Sequence, residues 1–239
     1  SALAHCEQLL REGADILDLG GESSRPGAEA LPLEEELARV LPVLREAVRL
    51  GVPVSVDTYK TEVMRAALDV GADIVNDIFA LRSPDAEAVV ARHPRCGVCL
   101  MHMQGEPKSM QAAPHYGDVA AEVRDFLATR AGALRGQGVA ADRIVLDPGY
   151  GFGKSVEHNF ELLRRQRELL EAGCPLLVGW SRKSSLGAIT GRAVGERLAA
   201  SVAAALAAVE HGARVVRVHD VAATVDALKV WAHAGLPAA

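Results

Sequence analysis

The sequence predicts an α/β fold, a TIM (β/α)8 barrel in which seven of the eight strands are visible. Short β-rich runs alternate with amphipathic helical stretches, and Gly-Ala-Asp precedes a strand at 13–15 and at 71–73, with Gly-Ala-Arg echoing it at 212–214. Each glycine marks a helix that ends and turns quickly into a strand. Because connecting helices favour parallel pairing, a parallel sheet follows, and an open doubly wound sheet is the alternative arrangement.

Seven short apolar runs are the predicted strands. They are residues 15–19, 52–56, 73–76, 97–101, 144–146, 175–178 and 214–218. Helical patterns lie between them, as in 33–50, where apolar residues recur at the 3.6-residue period. The chain opens on a helical pattern, so the strand that is not visible is the first one; either the barrel is incomplete or this strand lies upstream of Ser1.

Composition indicates one folded domain, residues 1–239, and excludes several classes of function. Hydrophobic residues make up 49% of the chain and the net charge is −5 without a block of like charges, which argues against a nucleic-acid partner. The most apolar long run, 199–209, is too short to cross a bilayer, and the first residues lack the features of a secretory signal. We therefore expect a cytoplasmic protein without a membrane partner.

Cys96 and Cys99 have the spacing of half a zinc site or of a redox motif. They fall at a predicted strand, where residues three apart point to opposite faces. No second pair lies in range, and the sequence has neither His-Glu-x-x-His nor Gly-x-Ser-x-Gly. We predict buried structural cysteines, and neither a zinc enzyme nor a hydrolase with a covalent intermediate.

Most of the predicted strands end in polar residues that apolar packing does not explain. These residues are Asp18, Asp57, Asn76, Asp77, His102 and Asp147, with the runs 179–183 and 217–220 after the last two strands. In a parallel barrel the carboxyl ends of all strands lie at one mouth, where such folds hold their active sites. Taken singly, Asp57 and Asp77 could instead cap the next helix, and His102 could be a core imidazole.

The predicted mouth combines carboxylates with cations. The set comprises Asp18, Asp57 and Asp147 as acids, Asn76 as an amide, and Arg25, Lys183, Arg217 and, when charged, His219 as cations. Carboxylates and an amide can pair with the N–H edge of a fused heterocycle, whereas cations suit a leaving phosphate. The mixture predicts a ligand that is both rich in donors and anionic.

Two glycine-rich loops are candidates for phosphate binding. Residues 147–155 end in the Gly-Lys-Ser of a nucleotide P-loop, but Pro148 stands where that motif has a glycine. Proline lacks an N–H and fixes φ, so we reject the nucleotide cradle. The loop 20–27 carries Arg25, which fits anion capture at the mouth, although a plain surface turn is the alternative.

Seven motifs of the chain resemble, in order, those of bacterial dihydropteroate synthase. They are IxDLGGESSRPG (16–27), SVDTYK (55–60), NDI (76–78), LMHMQGxP (100–107), LDPGYGFGK (146–154), VGWSRKS (178–184) and RVHD (217–220). The resemblance implies a TIM barrel that condenses 6-hydroxymethyl-7,8-dihydropterin diphosphate with 4-aminobenzoate to give 7,8-dihydropteroate and diphosphate. It also implies Mg2+ as a cofactor and a homodimer.

The same resemblance implies roles for individual residues. The pterin would be held by Asp57, Asn76, Asp147 and Lys183, with Arg217 stacking on the ring, Met101, Phe152 and Gly179 around it, and Asp18 deeper. Ser24, Arg25 and Pro26 would belong to a mobile loop, and Phe152, Ser181 and Lys183 would line the aminobenzoate side. The departing diphosphate would be bound by Arg25, Arg217 and His219. The catalytic group would be Asp57, Asp147, Lys183, Arg217 and His219.

The family's first strand and its loop, Asn-Val-Thr-Pro-Asp-Ser-Phe, have no counterpart in residues 1–239. That segment supplies the family's magnesium-binding asparagine, which we expect upstream of Ser1. Two rival hypotheses stay open. The first is a methyltransferase domain that binds methyltetrahydrofolate, and the cationic strand ends argue against it. The second is a pterin-binding module without turnover. The alanine-rich helix predicted over 198–209 either meets a symmetry mate or packs in the core.

Overall fold

The computed structural model describes residues 2–23, 27–105 and 110–235. Within these ranges the strands are β1 (Leu17–Gly20), β2 (Val54–Asp57), β3 (Ile74–Asp77), β4 (Gly97–Met101), β5 (Ile144–Asp147), β6 (Leu176–Val178) and β7 (Ala213–Val216). The α-helices are α1 (Ala2–Arg11), α2 (Leu33–Ala47), α3 (Thr61–Asp69), α4 (Ala86–Arg92), α5 (Val119–Gly136), α6 (Val156–Arg164), α7 (Ser184–Thr190), α8 (Leu198–Glu210) and α9 (Val221–His233). Short 3₁₀ segments cover Val48–Leu50, Ala141–Arg143, Gln166–Ala172 and Val194–Glu196.

The seven strands form one parallel sheet, paired in chain order from β1 to β7. The sheet is curled, because Arg217, just after β7, lies 2.5 Å from Asp18 of β1 and 3.1 Å from Asp57 of β2. With about 4.8 Å between neighbouring strands, a flat sheet would hold β7 about 29 Å from β1. The predicted TIM-barrel architecture is therefore confirmed, with β1 and β7 as the outer strands of the described part of the chain.

The observed strands begin and end within two residues of the predicted bounds. The largest differences, two residues each, are at the starts of β1 and β2, predicted from residues 15 and 52 and observed from Leu17 and Val54, and at the end of β7, which is Val216 and not residue 218. Asp73, predicted as the first residue of a strand, instead accepts a hydrogen bond from the backbone N–H of Val54 at 2.9 Å. The backbone of Asp73 also bonds to both neighbours, to the Val54 carbonyl at 2.8 Å and from the Gly97 N–H at 2.9 Å, so Asp73 links the start of β3 to β2 and β4.

One continuous hydrophobic cluster joins the sheet to the helices. Val54 and Val56 of β2, Leu44 of α2 and Met64 of α3 all belong to it and have no exposed surface. Burying each such side chain contributes about 1.5–3 kcal/mol. The packing of this core therefore fixes the backbone at the strand ends, and with it the positions from which the polar side chains extend.

The small-residue face of α8 packs in the core. Ser201, Ala204, Ala205 and Ala208 are the buried residues of this helix. Of the two alternatives for this stretch, the core helix is the one that accounts for its small side chains, since they allow close approach to the helices and strands beneath.

The cysteines are free and buried, Cys96 and Cys99 among them, in agreement with the prediction. No helix within the described residues has the length and apolar character needed to cross a bilayer.

Candidate active site

Strand register places three of the predicted polar residues on one face of the sheet. Asp57 of β2 is the register partner of Asn76 of β3, and Asp18 of β1 pairs with Ser55, two residues before Asp57. Because side chains alternate along a strand and register partners point the same way, Asp18, Asp57 and Asn76 share a face.

The same register continues across β4 and β5. Asn76 pairs with Cys99, and Met101, two residues further along β4, pairs with Asp147 of β5. Met101 and Asp147 therefore lie on the face that carries Asn76. Five residues from five consecutive strands are brought together in this way.

Arg217 closes the group across the curl of the sheet. Its Nε donates to Asp18 Oδ2 at 2.5 Å and its Nη2 donates to Asp57 Oδ2 at 3.1 Å, while Asn76 Nδ2 donates to Asp18 Oδ2 at 3.1 Å. The side chain of Arg217 is 44% exposed, whereas those of Asp18 and Asp57 are 17% and 12% exposed. Two buried carboxylates therefore bind the guanidinium on one side, and its exposed side is accessible to an anionic ligand.

The second carboxylate oxygen of Asp18 is unsatisfied. Its Oδ1 is buried and has no hydrogen-bond partner among the described residues. An unpaired buried polar group costs about 1–3 kcal/mol. The arrangement is therefore suited to a donor supplied from outside this set, as the N–H edge of a heterocycle would be.

Asp57 is close to its ionisation point at neutral pH. Burial raises its pKa to about 7, the charge of Asp18 adds to the rise, and the charge of Arg217 opposes it. Two neighbouring carboxylates disfavour double ionisation, and a cation between them partly relieves the repulsion. A strongly perturbed acid in a polar cluster at a barrel mouth is typical of a functional site.

Asp147 is the buried acid on the other side of the mouth. Burial raises its pKa, while the backbone N–H of Gly149, which donates to Asp147 Oδ1 at 2.7 Å, and the charges of Lys183 and Lys154 act in the opposite direction. Arg217 also acts on Asp147 through its charge. Asp147 therefore belongs to the same electrostatic group as Asp57 and Arg217.

Lys183 and Phe152 form one wall of the site. The Lys183 Nζ lies 4.2 Å from the centroid of the Phe152 ring, a cation–π distance. Phe152 packs against a small apolar cluster formed by Ile78, Met101, Met103 and Met110, which Tyr59 and Phe79 also contact. A Cβ on Gly179 would meet nothing within 4 Å, so the backbone there borders open space.

Ser181 and His219 form a second pair at the ends of β6 and β7. The Ser181 Oγ accepts from the backbone N–H of His219 at 3.2 Å and lies 3.0 Å from its Nδ1. Beside them, Arg182 pairs with Asp220 through two contacts of 2.6 and 3.1 Å. The pairings hold the His219 ring in place on the rim.

Ser24, Arg25 and Pro26 lie outside the described residues. The residues that flank this loop are firmly held, a feature that sequence reasoning missed. Glu22 accepts hydrogen bonds from Tyr59 Oη at 2.7 Å, from the backbone N–H of Leu31 at 3.0 Å and from Lys60 Nζ. The lysine and tyrosine of the SVDTYK motif were the only signal for this anchor.

The core alternative holds for His102. It is 6% exposed, and its Nδ1 lies 2.9 Å from Lys154 Nζ. Asp77 caps a turn, since it accepts from the N–H groups of Phe79 and Leu81 at 2.7 Å each. Asp57 caps no helix, because α3 begins after Lys60 without a side-chain cap.

The glycine-rich segment after β5 is not a phosphate cradle, in line with the sequence argument. The Gly149 and Gly151 N–H groups donate to Asp147 Oδ1 at 2.7 Å and to Asn159 Oδ1 at 2.8 Å. Lys154 is 2% exposed. The backbone N–H groups of Gly149 and Gly151 are therefore hydrogen-bonded to protein side chains, whereas a P-loop directs such groups at phosphates.

Comparisons with known proteins agree with this geometry. The family described as "Pterin binding enzyme" matches residues 1–219. The dihydropteroate synthase of Neisseria meningitidis serogroup B is 54% identical, over 99% of this chain and 85% of the relative. The structure of Burkholderia cenocepacia dihydropteroate synthase with 7,8-dihydropteroate is 55% identical, with a TM-score of 0.92 over 98% of this chain and 86% of that one. The Xanthomonas albilineans enzyme with 4-aminobenzoic acid is 52% identical, with a TM-score of 0.93 over 99% and 85%.

Proposed function

The chain belongs to the dihydropteroate synthase family of pterin-binding enzymes, and from that premise we propose how its mouth carries out the family's transferase reaction, the condensation of 6-hydroxymethyl-7,8-dihydropterin diphosphate with 4-aminobenzoate. The observation that carries the assignment of residues is the group of Asp18, Asp57, Asn76 and Arg217 at contact distance, from three strands of one sheet and the residue that follows a fourth. It offers acceptors for a heterocycle and a cation for phosphates in one place.

The pterin pocket that we propose uses the inner face of the curl. The residues are Asp18, Asp57, Asn76, Met101, Asp147, Phe152, Gly179, Lys183 and Arg217. The unpaired Asp18 Oδ1 and the two acids with raised pKa values support this, because each would gain a partner from ring N–H groups. Phe152 and the methionine cluster supply an apolar surface for the ring.

The other two ligand groups would bind toward the rim. We propose Ser24, Arg25, Pro26, Phe152, Ser181 and Lys183 for the aminobenzoate, and Arg25, Arg217 and His219 for the diphosphate. Support comes from Arg217, whose side chain is 44% exposed, and from His219, which is exposed and oriented by Ser181.

The proposed mechanism needs no enzyme nucleophile. The bond between the pterin methylene carbon and the diphosphate oxygen breaks, and its electron pair leaves with the diphosphate. Asp57 and Asp147 face the carbon that becomes electron-poor, while Arg217 and His219 face the leaving oxygens. The aminobenzoate nitrogen then forms the new C–N bond and releases a proton. The catalytic group of Asp57, Asp147, Lys183, Arg217 and His219 acts by fixed charges.

The described residues do not form a magnesium site of their own, since no group of three or more His, Cys, Asp or Glu side chains gathers among them. Mg2+ is often held by one or two protein ligands and substrate phosphates. We therefore assign no residue of residues 1–239 to Mg2+ and no step of the mechanism to it, and we include the ion in the assay because the family resemblance implies it.

A coupled test separates the proposed function from its rivals. We expect the protein to bind the pterin diphosphate in calorimetry with Mg2+ present, and to release pyrophosphate only when 4-aminobenzoate is added. Binding without release would select the non-catalytic pterin module. Binding of methyltetrahydrofolate in preference to the pterin diphosphate would select the methyltransferase domain.

We also propose a homodimer through the surface of α7 to α9. Four of the five exposed large hydrophobic residues in the described ranges lie there: Ile189, Val194, Leu198 and Val230. Exposed apolar residues that share a surface mark interaction sites.

Sedimentation tests the homodimer directly. We expect the wild-type protein to sediment as two 25.2 kDa chains and Leu198→Glu to shift toward one. Ile16→Glu, at an exposed apolar residue outside this surface, is the control that keeps the dimer. A wild-type monomer at micromolar concentration would contradict the proposal.

We further propose the cytoplasm as the compartment, because free thiols persist in a reducing environment.

A further inference from the structure

We propose that Lys154 is a positioning residue for the substrate pocket: its buried side chain holds the glycine loop, defined as residues 148–154, so that Phe152 faces the site. The inference rests on the proposed function, because it assigns a role to a residue that the mechanism above does not use. Lys154 touches neither the carboxylates of the mouth nor solvent, and it acts through the loop.

The amine of Lys154 has three acceptors around it. Its Nζ lies 2.9 Å from His102 Nδ1, 3.0 Å from the Gly149 carbonyl oxygen and 3.1 Å from the Phe152 carbonyl oxygen. An ammonium group has three donors, so the set is complete. Two of the three acceptors belong to the glycine loop itself, and the third fixes the loop to the end of β4.

A neutral His102 and the ammonium form of Lys154, which predominates below about pH 7, fit this arrangement. Burial and the charge of Lys154 lower the pKa of His102 to about 2, so the imidazole is neutral and its Nδ1 can accept. Burial also lowers the pKa of Lys154 to about 7, with the charge of Asp147 acting in the opposite direction. An apolar side chain of equal length would fill the same space without that desolvation cost, so the contribution of the amine lies in its hydrogen bonds.

The glycine loop lies directly on the segment that follows β4. A Cβ on Gly149 would come 1.9 Å from the His102 carbonyl oxygen, and one on Gly153 would come 2.3 Å from the Gln104 carbonyl oxygen. Both residues also have positive φ, 68° and 60°. Only glycine permits this contact, and Lys154 ties the two segments together at the same point.

Three further backbone groups of the loop are hydrogen-bonded to side chains outside it. The Gly151 N–H donates to Asn159 Oδ1 at 2.8 Å, the Gly151 carbonyl accepts from Gln111 Nε2 at 2.6 Å, and the Gly153 carbonyl accepts from Tyr116 Oη at 2.7 Å. Phe152 is the loop side chain that contacts the methionine cluster and Lys183. Loosening the loop would therefore shift Phe152 relative to Lys183 and the methionine cluster.

The test compares Lys154→Met with Lys229→Met, the same change at an exposed lysine on α9. We expect Lys154→Met to raise the KM for 4-aminobenzoate about tenfold, the effect of 1.4 kcal/mol, with calorimetric affinity for the pterin diphosphate within about twofold of wild type. Lys229→Met should match wild type in both. An unchanged KM, or an equal loss of affinity for both substrates, would overturn the inference.

A double-mutant cycle shows whether Lys154 acts through Phe152. Phe152→Ala alone should also raise the KM for 4-aminobenzoate, and the double variant should be little worse than Phe152→Ala, because residues that act through one contact are not additive. Full additivity would contradict the positioning role. A purely structural role would lower thermal stability without this coupling.

If Lys154→Met does not fold, as judged by circular dichroism, His102→Leu and Gln111→Ala take its place. Each removes one contact that holds the loop, and each should raise the KM for 4-aminobenzoate less than tenfold; wild-type values in both would overturn the inference. Failure of the proposed function is recognised separately, since the wild-type protein would then release no pyrophosphate.

Discussion

Arg217→Met is expected to lower kcat/KM for pyrophosphate release by about 10²- to 10³-fold, the usual effect of removing a preorganised charge that faces a leaving group. The same change leaves Asp18 and Asp57 without the cation that joins them. Since the charge of Arg217 lowers the pKa of Asp57, its loss should raise that pKa further above about 7. The acid limb of the pH–rate profile should then move to higher pH.

Arg214→Met is the matched control, because Arg214 is exposed near the start of β7, whereas Arg217 follows the end of that strand. It should leave the rate and the profile unchanged. Steady-state kinetics between pH 5 and 9 measure both variants. A rate loss in Arg217→Met with the wild-type pH profile would mean that Arg217 and Asp57 are not electrostatically coupled, and the proposed role of the pair would be wrong.

Asp57→Asn is expected to abolish most of the activity while leaving the protein more stable at high pH. If the ionised carboxylate is the working form, wild-type kcat/KM falls as pH drops below about 7, because the pKa of Asp57 is raised to about 7 by burial and by Asp18. The residual activity of Asp57→Asn should lack this limb. Removal of a charged group that faces the reacting carbon should again cost about 10²- to 10³-fold.

The effect of Asp57→Asn on stability has the opposite sign. A carboxyl whose pKa is raised from 3.8 to about 7 on folding stabilises the protein below pH 3.8, and that contribution is lost as pH rises through 7. At pH 8 the asparagine variant should therefore be more stable than wild type by up to about 4 kcal/mol, the cost to the ionised form of a rise in pKa from 3.8 to about 7, and the difference should shrink toward pH 4.

Urea unfolding between pH 4 and 8 measures this difference. Asp69→Asn is the control, because Asp69 is exposed on α3, and it should show no pH-dependent difference from wild type. A stability difference for Asp57→Asn that is constant with pH would show that Asp57 has an ordinary pKa in the folded protein, and the assignment of the acid limb would fall with it.

The strands were predictable because each is a short apolar run that ends at a turn. β4 was predicted at its observed bounds, 97–101, since Gly97 opens an uninterrupted run of large apolar residues. At β1 the prediction began two residues early, because Ile16 joins Leu17 in one apolar run although Ile16 is 39% exposed and unpaired in the ladder. Local pattern cannot distinguish the last residue of a turn from the first of a strand.

Which polar residues meet was predictable only in part. That Asp57, Asn76 and Asp147 end neighbouring strands follows from their positions, but their common face depends on register, such as Asp57 opposite Asn76. The pairing of Lys154 with His102 joins residues 52 apart through tertiary packing, and the motif pattern around each gave no sign of it. Sequence alone left His102 undecided between the mouth and the core for the same reason.

Arg217 joins β1 and β2 to the residues after β7 through Asp18 and Asp57, and the exposed side of its guanidinium is the side proposed to bind the ligand. The same guanidinium therefore links β1 and β2 to the end of β7 and belongs to the candidate site. An anion that displaces the guanidinium of Arg217 would lengthen its contacts with Asp18 and Asp57. A change that separates β1 from β7 would lengthen the same contacts. We therefore expect substitutions that change the curvature of the sheet to change ligand affinity as well.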